Sequence, residues 1–413
     1  MRNKNSKQFR PKSRVVFGRP PFARGEKRIP VTVTNLLIWK KKSGMLRGGE
    51  VNLWQPFRRL STQSGRGHGV AACPALGLLV TSDRDKNTLS VWGVPGGASG
   101  GGLRLVCTLG GHRAPMQFDF SSGPGYSGYL AFTPLTTKTR GSSSACPLLL
   151  VTDHGHDAVH LVDVVGRTHE GYLAAPRSIA GPRGVAASGA SPLVAVSAWK
   201  EFSSGDHVVV VYRGGGAVWE AVRVIGGGFR GPGSRDGKLH RPYGLRFNRD
   251  GSAICVAEAE NGRASVFRVC DGGFVRHIAT GLRIPYDVEE VEGGWLVACI
   301  SGRLVAGGES ANTVEFVSDG VGGDIERPSL GKAGGGTGSG DAEFNGPVAL
   351  ATVPGLGLVV RELYNGGRLQ VFATPDAMTM YTKMSSIRIA WMSTVARAVF
   401  NRRALLKGHW RRW

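Results

Sequence analysis

The densest group of side chains that could bind a metal lies at residues 153–160. The run reads Asp-His-Gly-His-Asp-Ala-Val-His, so carboxylates and imidazoles fall close together. Zinc and related transition metals prefer these ligands. Within the run we identify His154, His156 and Asp157 as metal-ligand candidates. The flanking apolar runs place all three in a hairpin turn, where polar residues are expected without any metal. The sequence therefore favours a plain turn, and it predicts no cofactor.

Two glycine-rich strings, at 226–231 and 334–340, have the composition of loops that hold phosphate. Neither ends in Lys-Ser or Lys-Thr, and neither stands between a strand and a long amphipathic helix. We interpret both as connections between repeated units. The serines, histidines and acidic residues show no spacing that indicates a catalytic triad, so no catalytic residue is predicted.

A repeated four-residue pattern marks the structural elements that must position these residues. It consists of proline, any residue, a small residue and an apolar residue. The four clear copies begin at Pro182, Pro242, Pro285 and Pro347. Two further β-prone runs follow each copy, and looser copies begin at Gly67 and Pro115. Short apolar and β-branched runs separated by turns indicate antiparallel strands. Six such units predict an all-β fold, a six-bladed β-propeller.

The last unit supplies only three strands before the chain reaches Pro375. An open edge on a sheet invites aggregation, so we expect a strand from the N-terminal side to complete this unit. The candidate segments are 51–57 and 31–38.

Two hairpins resemble the core of an NHL repeat. Residues 258–267 read Glu-Ala-Glu-Asn-Gly-Arg-Ala-Ser-Val-Phe, and residues 362–372 repeat this pattern with one additional glycine. The resemblance to the NHL-repeat family covers residues 67–372, and it implies an NHL-like propeller.

Charged pairs face each other across both turns. Glu258 stands opposite Arg263, and Glu362 stands opposite Arg368, when each turn is folded as a hairpin. We interpret these four residues as structural clips that hold the hairpins, with no catalytic role.

The family resemblance also indicates where an active site would lie. It implies that related amidating lyases and lactonase-like enzymes gather their metals and catalytic groups at the central channel. The candidates for lining that channel open the innermost strands: His68, Tyr243, Tyr286 and Asp287. One histidine and one aspartate do not make the multi-histidine site of such enzymes, so a packing or lining role is favoured over an enzymatic one.

The positive charge is confined to the two ends of the chain. The whole chain has a formal charge of +22, but residues 1–60 carry 16 Lys/Arg against 2 acids, and residues 373–413 carry 8 against 1. We therefore expect a basic leader at 1–60, a nearly neutral propeller at 61–373 and a basic tail at 374–413. The sequence leaves two interpretations of the leader open with equal weight, an organelle transit peptide and an over-extended gene start.

The basic tail has the pattern of an amphipathic helix. Ile387, Trp391, Val395 and Val399 recur every four residues, with arginines between them. The sequence predicts a helix at 385–406. It leaves three sites open for that helix: an anionic membrane, a partner's groove, or the propeller itself.

The sequence favours a monomeric, non-catalytic protein-interaction scaffold. One alternative is an enzyme at the channel mouth, of the amidating-lyase or lactonase-like type. Another is an RNA-binding propeller, through the basic leader or a patch of arginines. That patch would comprise Arg241, Arg246, Arg249, Arg263 and Arg268. The six cysteines are scattered without Cys-x-x-Cys pairs, which favours free thiols in a reducing compartment, the cytoplasm first.

Overall fold

Antiparallel β-sheets build the described part of the chain. The computed structural model describes residues 55–60, 65–94, 103–111, 116–121, 128–133, 137–138, 145–175, 177–200, 207–215, 218–227, 231–300, 312–318, 329–331, 337–340, 342–354 and 356–373. Six sheets of four strands form the blades of a propeller. The all-β class and the six-bladed propeller are thus confirmed.

The blades follow one another along the chain. Blade 1 comprises Val70–Cys73, Leu78–Asp83, Thr88–Gly93 and Arg104–Gly110. Blade 2 comprises Leu130–Phe132, Leu149–Asp153, Ala158–Asp163 and Thr168–Ala174. Blade 3 comprises Pro182–Ala187, Leu193–Ala198, Val208–Gly215 and Val218–Gly226. Blade 4 comprises Pro242–Phe247, Ala253–Glu258, Arg263–Arg268 and Phe274–Ala279. Blade 5 comprises Ile284–Val291, Gly294–Ile300, Thr313–Ser318 and Ser329–Gly331. Blade 6 comprises Pro347–Val353, Gly357–Glu362, Leu369–Ala373 and, as its fourth strand, Gln55–Leu60.

Two small elements lie outside the blades. A short hairpin joins Thr137–Lys138 to Ala145–Cys146, within the insertion between the first two strands of blade 2. A 3-10 turn at Pro74–Leu76 connects the first two strands of blade 1.

The first strand of each blade faces the central axis. Each first strand contacts those of the two neighbouring blades, and the contact between blades 6 and 1 completes the ring. A separate buried apolar cluster fills each of the six junctions between neighbouring blades. Because blades pack on both of their faces, central strands such as Leu149–Asp153 and Leu193–Ala198 are buried at every residue. This explains their nearly continuous apolar sequences.

A strand from the N-terminal side closes the ring. Gln55–Leu60 pairs antiparallel with Leu369–Ala373, with Gln55 opposite Ala373 and Leu60 opposite Leu369. The register shifts between Pro56 and Arg58, since proline cannot donate a hydrogen bond to the ladder. The strand overlaps the expected segment 51–57 and extends beyond it.

Blade 2 begins later than the sequence indicates. Its first strand is Leu130–Phe132, whereas the segment expected to open it, from Pro115 to Phe120, forms no strand in its described part, 116–120. The alternating Met116, Phe118 and Phe120 are buried, but they pack at the junction of blades 1 and 2. The backbone of this segment does not bond as a strand would. Phe120 N–H donates to the side chain of Asn87, and Asp119 N–H donates to the side chain of Asp153. Apolar alternation here reflects packing without strand pairing.

Several expectations lie outside the described residues. These are the leader before residue 55, the alternative closing segment 31–38, and the tail helix at 385–406. In the described part of the chain, no helix is long and apolar enough to cross a membrane. All six cysteines are free thiols. Cys73, Cys255 and Cys299 are buried as expected, but Cys270 is exposed.

Candidate functional site

Each blade has an equivalent residue at the start of its first strand, the strand that faces the central axis. Each follows the proline or glycine that opens its blade, and blades 3 to 6 carry a β-bulge at this point. We call this set the axial plug: His68, Tyr129, Arg183, Tyr243, Tyr286 and Val348. Tyr286 is half-buried and the other five are buried. Because a bulge redirects a side chain, the inward-facing residue of blades 3 to 6 can turn towards the axis.

Contacts within the axial plug cross the channel. The rings of His68 and Tyr286, from blades 1 and 5, stack with centroids 5.9 Å apart. The Tyr129 hydroxyl donates to the Tyr286 carbonyl over 3.3 Å, which joins two blades on opposite sides of the ring. The Tyr243 and Tyr286 rings lie 4.6 Å apart. The channel is therefore closed by aromatic side chains at this level.

Burial keeps the plug uncharged at His68 and Tyr129. Burial and the nearby Arg84, Arg361 and Arg183 hold the pKa of His68 well below its usual value. Burial also raises the pKa of Tyr129 well above its usual value. At neutral pH both rings are neutral, which suits packing more than proton transfer.

A buried arginine that the sequence pattern does not identify supports the axial plug. Arg361 lies on the second strand of blade 6 and donates to the carbonyls of Gly67 and Gly69 at 2.9 and 3.0 Å, and also to that of Ser82. It thereby joins blade 6 to the segment that carries His68. Burial lowers the pKa of Arg361 to about 9. The signal for this residue in the sequence is an arginine directly after the apolar run Leu358–Val360.

Asp287 lies beside the plug and connects blades. Its carboxylate accepts hydrogen bonds from the Leu350 and Val288 amides, each at 2.9 Å, and lies 4.0 Å from Arg246. A Cβ at position 244 would lie 2.1 Å from Asp287 Oδ1, so Gly244 is required there. Burial raises the pKa of Asp287 to about 7, although Arg246 and the Leu350 amide act in the opposite direction.

We expect Asp287 to make stability fall as the pH rises from about 4 to 7. The folded protein keeps this proton up to its pKa of about 7, whereas the unfolded chain releases it near 3.8. The unfolded state thus binds fewer protons across this window, and the free energy of unfolding decreases with pH. Urea unfolding of the protein and of Asp287→Asn across the window tests this. The wild type should lose stability relative to the variant, and a pH-independent difference between them would contradict the assignment.

The two hairpin clips are buried ion pairs. Arg263 Nε lies 2.9 Å from Glu258, and Arg368 Nε lies 2.6 Å from Glu362. Asn261 and Asn365 also donate to the carboxylates of their own hairpins. The guanidinium groups reach further, to carbonyls such as those of Lys238 and Glu343 in the preceding loops. Each clip therefore holds both a hairpin and an inter-blade loop.

Blade 2 carries histidines where blades 4 and 6 carry arginine. Asp153 is paired in register with Ala158, as Glu258 is with Arg263. Asp153 Oδ2 lies 2.8 Å from His156 Nδ1 and 3.0 Å from His160 Nε2. We call Asp153, His156, His160 and the adjacent His169 the blade 2 cluster.

The three metal-ligand candidates from the sequence do not converge. Of the three, only His156 belongs to the blade 2 cluster. Asp157 forms an ion pair with Lys200 and accepts the Gly181 amide at 2.8 Å. Burial, with Arg183 nearby, lowers the pKa of His154 to about 4. His160 was in the original run, but its place in a strand concealed its proximity to Asp153.

Acidic partners neutralise most of the arginine patch. Arg241 pairs with Glu260, and Arg263 pairs with Glu258 as described. Arg246 and Arg268 likewise pair with Glu289 and Asp271. Four of these five arginines thus lie against carboxylates, which weakens the patch as an attraction for phosphate.

The exposed large apolar side chains concentrate on the outer rim. Among the described residues, most of them lie on the fourth strands of blades 1 to 4. These are Leu105, Val106, Tyr172, Val218, Val224 and Val275, with Val165 and Tyr364 in turns. Val218 is 78% exposed and Val224 61%. The fourth strands of blades 2 and 3 are in contact, so Tyr172 and the two valines lie on neighbouring strands.

No known family and no curated protein matches this sequence. Among solved structures, the chain is similar to one titled "Crystal structure of Nidogen/Laminin Complex". The sequence identity is 14% and the TM-score is 0.40. The match covers 60% of this chain and 74% of the other.

Proposed function

We propose that this chain is an NHL-repeat propeller that serves as a protein-interaction scaffold. A protein partner would dock on the outer rim around Tyr172, Val218 and Val224. The observation that carries the proposal is the concentration of exposed apolar side chains on outer strands. Exposed apolar groups of this kind are unfavourable in water and typical of interaction surfaces.

The position of these residues suits recognition of another chain. A fourth strand has one edge directed away from its own blade, and such an edge can pair with an extended segment of a partner. In blade 3 this strand, Val218–Gly226, is nine residues long and the longest of the described strands. Backbone pairing would supply affinity, and contacts to the exposed valines would supply specificity.

The two clips support the NHL assignment. In both hairpins the acid, the asparagine and the arginine of the repeat pattern contact one another. This is one structural unit used twice, in agreement with the spacing that defines the resemblance.

The axis and the surface charge favour a scaffold over the alternatives. The axial plug fills the level of the channel where an enzyme of the lyase or lactonase-like type would need open space. The arginines proposed for RNA binding are mostly engaged with carboxylates. The apolar side chains on the outer rim, in contrast, are exposed to water.

We expect a photocrosslinking amino acid at position 224 to capture a protein partner. The same amino acid at position 364 is the matched control, because Tyr364 is also exposed but lies in a blade 6 turn. The captured partner is then purified and its affinity measured directly. Val218→Asp with Val224→Asp should weaken binding about tenfold or more, since a charge replaces an apolar contact.

The same double substitution should leave stability almost unchanged, because both sites are exposed. Equal capture from positions 224 and 364 would contradict the rim proposal. So would an unchanged affinity of the double variant for the purified partner. RNA binding by residues 55–373, which include the closing strand, would favour the RNA alternative if its affinity falls steeply with salt concentration.

A further inference from the structure

We propose that blade 2 binds a divalent metal ion of the zinc class through Asp153, His156 and His160. One ligand atom from each of these residues lies within 4.8 Å of the other two. Two imidazoles and one carboxylate form a ligand set typical of zinc, and cobalt or nickel can replace zinc in such sets. This inference is independent of the proposed scaffold function.

The spacing of the ligand atoms suits a tetrahedral ion. Bonds of about 2.0–2.1 Å to a tetrahedral zinc place neighbouring ligand atoms about 3.3 Å apart. The carboxylate oxygen of Asp153 lies 2.8 Å from His156 Nδ1 and 3.0 Å from His160 Nε2. Side-chain shifts of about 0.5 Å would bring both pairs to the required separation. The imidazole nitrogens of His156 and His160 lie within 4.8 Å of each other and would approach by at most about 1.5 Å.

Comparison with the clips shows why a cation belongs at this point. Glu258 and Glu362 are fully buried, and each lies against a guanidinium. Asp153 is equally buried, but Ala158 occupies the position of the arginine. A buried carboxylate is costly without a positive charge nearby. The groups beside Asp153 are the imidazoles of His156 and His160, which carry a charge only when protonated, so a metal ion held with them supplies a permanent positive charge.

A second hydrogen bond orients one of the ligands. His160 Nδ1 lies 3.1 Å from His169 Nε2, on the opposite side of the ring from Asp153. Metal-binding histidines usually use their second ring nitrogen in this way, which fixes the ring and its tautomer. His169 comes from the neighbouring fourth strand, so two strand pairings hold the cluster together.

The site is open to solvent on one side. The side chain of His156 is 47% exposed and lines a cavity of about 300 Å³ at the junction of blades 1 and 2. Asp119 lines the same cavity, and its carboxylate carbon lies 2.3 Å from where a Cβ on Gly155 would be. The fourth coordination position can therefore be taken by water from the cavity.

Zinc binding by the full-length protein tests this inference. After treatment with a chelator and dialysis, the protein is titrated with zinc in competition with a chromogenic chelator, and with cobalt followed by visible absorption. We expect one equivalent of zinc per chain, and a cobalt spectrum of tetrahedral type. His156→Ala should reduce zinc affinity by more than about 100-fold. His169→Ala should reduce it by about 10–100-fold, the usual cost of losing an outer hydrogen-bond partner.

The control is His154→Ala, which removes a histidine from the same turn but outside the blade 2 cluster. It should bind zinc like the wild type. Because His156 is exposed, its substitution should not prevent folding, so the test does not depend on variants of buried residues. A wild type that binds no zinc would overturn the proposal, as would a His156→Ala variant that binds zinc as tightly as the wild type.

Discussion

A protein lacking residues 1–60 is expected to melt about 5 °C or more below the full-length protein. This deletion removes Gln55–Leu60, the fourth strand of blade 6, and leaves Leu369–Ala373 as an open edge. Losing a paired strand costs at least a few kcal/mol, and each kcal/mol lowers the melting temperature by about 1.5–2 °C in a domain of about 300 residues. The unpaired edge should also promote aggregation. Differential scanning calorimetry and light scattering measure the two effects.

Deletion of residues 1–44 is the matched control. It removes most of the basic leader, but the closing strand lies in the unit that begins at Met45 and is retained. The shorter deletion should therefore melt close to the full-length protein. If both deletions lower the melting temperature equally, or if neither does, the closing strand Gln55–Leu60 is not needed for the stability of the propeller.

Arg263→Ala and Arg368→Ala should each destabilise the protein by about 3–5 kcal/mol. Removing one member of a buried ion pair leaves the other charge buried without compensation. Both carboxylates are fully buried, and the arginine side chains are only 8% and 7% exposed. The lost guanidinium also releases the inter-blade loop whose carbonyls it binds. Urea unfolding, monitored by tryptophan fluorescence, gives the change in the free energy of unfolding.

Arg268→Ala provides the control within the same hairpin. Its partner is Asp271, and both side chains are 52% exposed, so solvent screens this pair and it contributes little to stability. Replacing Glu258 and Arg263 together with apolar residues of similar size should cost less than Arg263→Ala alone. An effect of Arg263→Ala no larger than that of Arg268→Ala would show that the clip is not a principal source of stability.

The fold could be predicted largely because its signals are local. In blades 3 to 6 the repeated proline pattern marks the first strand of each blade. The following apolar runs match the second and third strands within about one residue, except that the third strand of blade 3 continues to Gly215, three residues beyond its run. Clip geometry is local as well, because a short turn places Glu258 opposite Arg263. The insertion after Phe132 weakens this local pattern in blade 2. As a result, the sequence predicts a strand at the alternating residues 116–120, which instead pack across a blade junction.

The less predictable features depend on contacts between distant parts of the chain. His169 approaches His160 only after the third and fourth strands of blade 2 have paired. Arg361 binds the carbonyl of Gly67, nearly the whole propeller away in sequence. Tyr129 takes part in the axial plug, but its blade lacks the proline that marks equivalent residues in blades 3 to 6. No spacing rule within one repeat reveals such contacts.

Closure of blade 6 imposes an order on folding during synthesis. The closing strand ends at Leu60, and the strand it pairs with begins at Leu369. At about 5–20 residues per second, the ribosome needs roughly 15–60 s to make the intervening chain. The closing strand is therefore without its partner while blades 1 to 5 are synthesised, and it can pair only after the third strand of blade 6 has been made. Such a long-range pairing favours slow folding, so refolding of the full-length protein should show a late phase that the 1–60 deletion lacks.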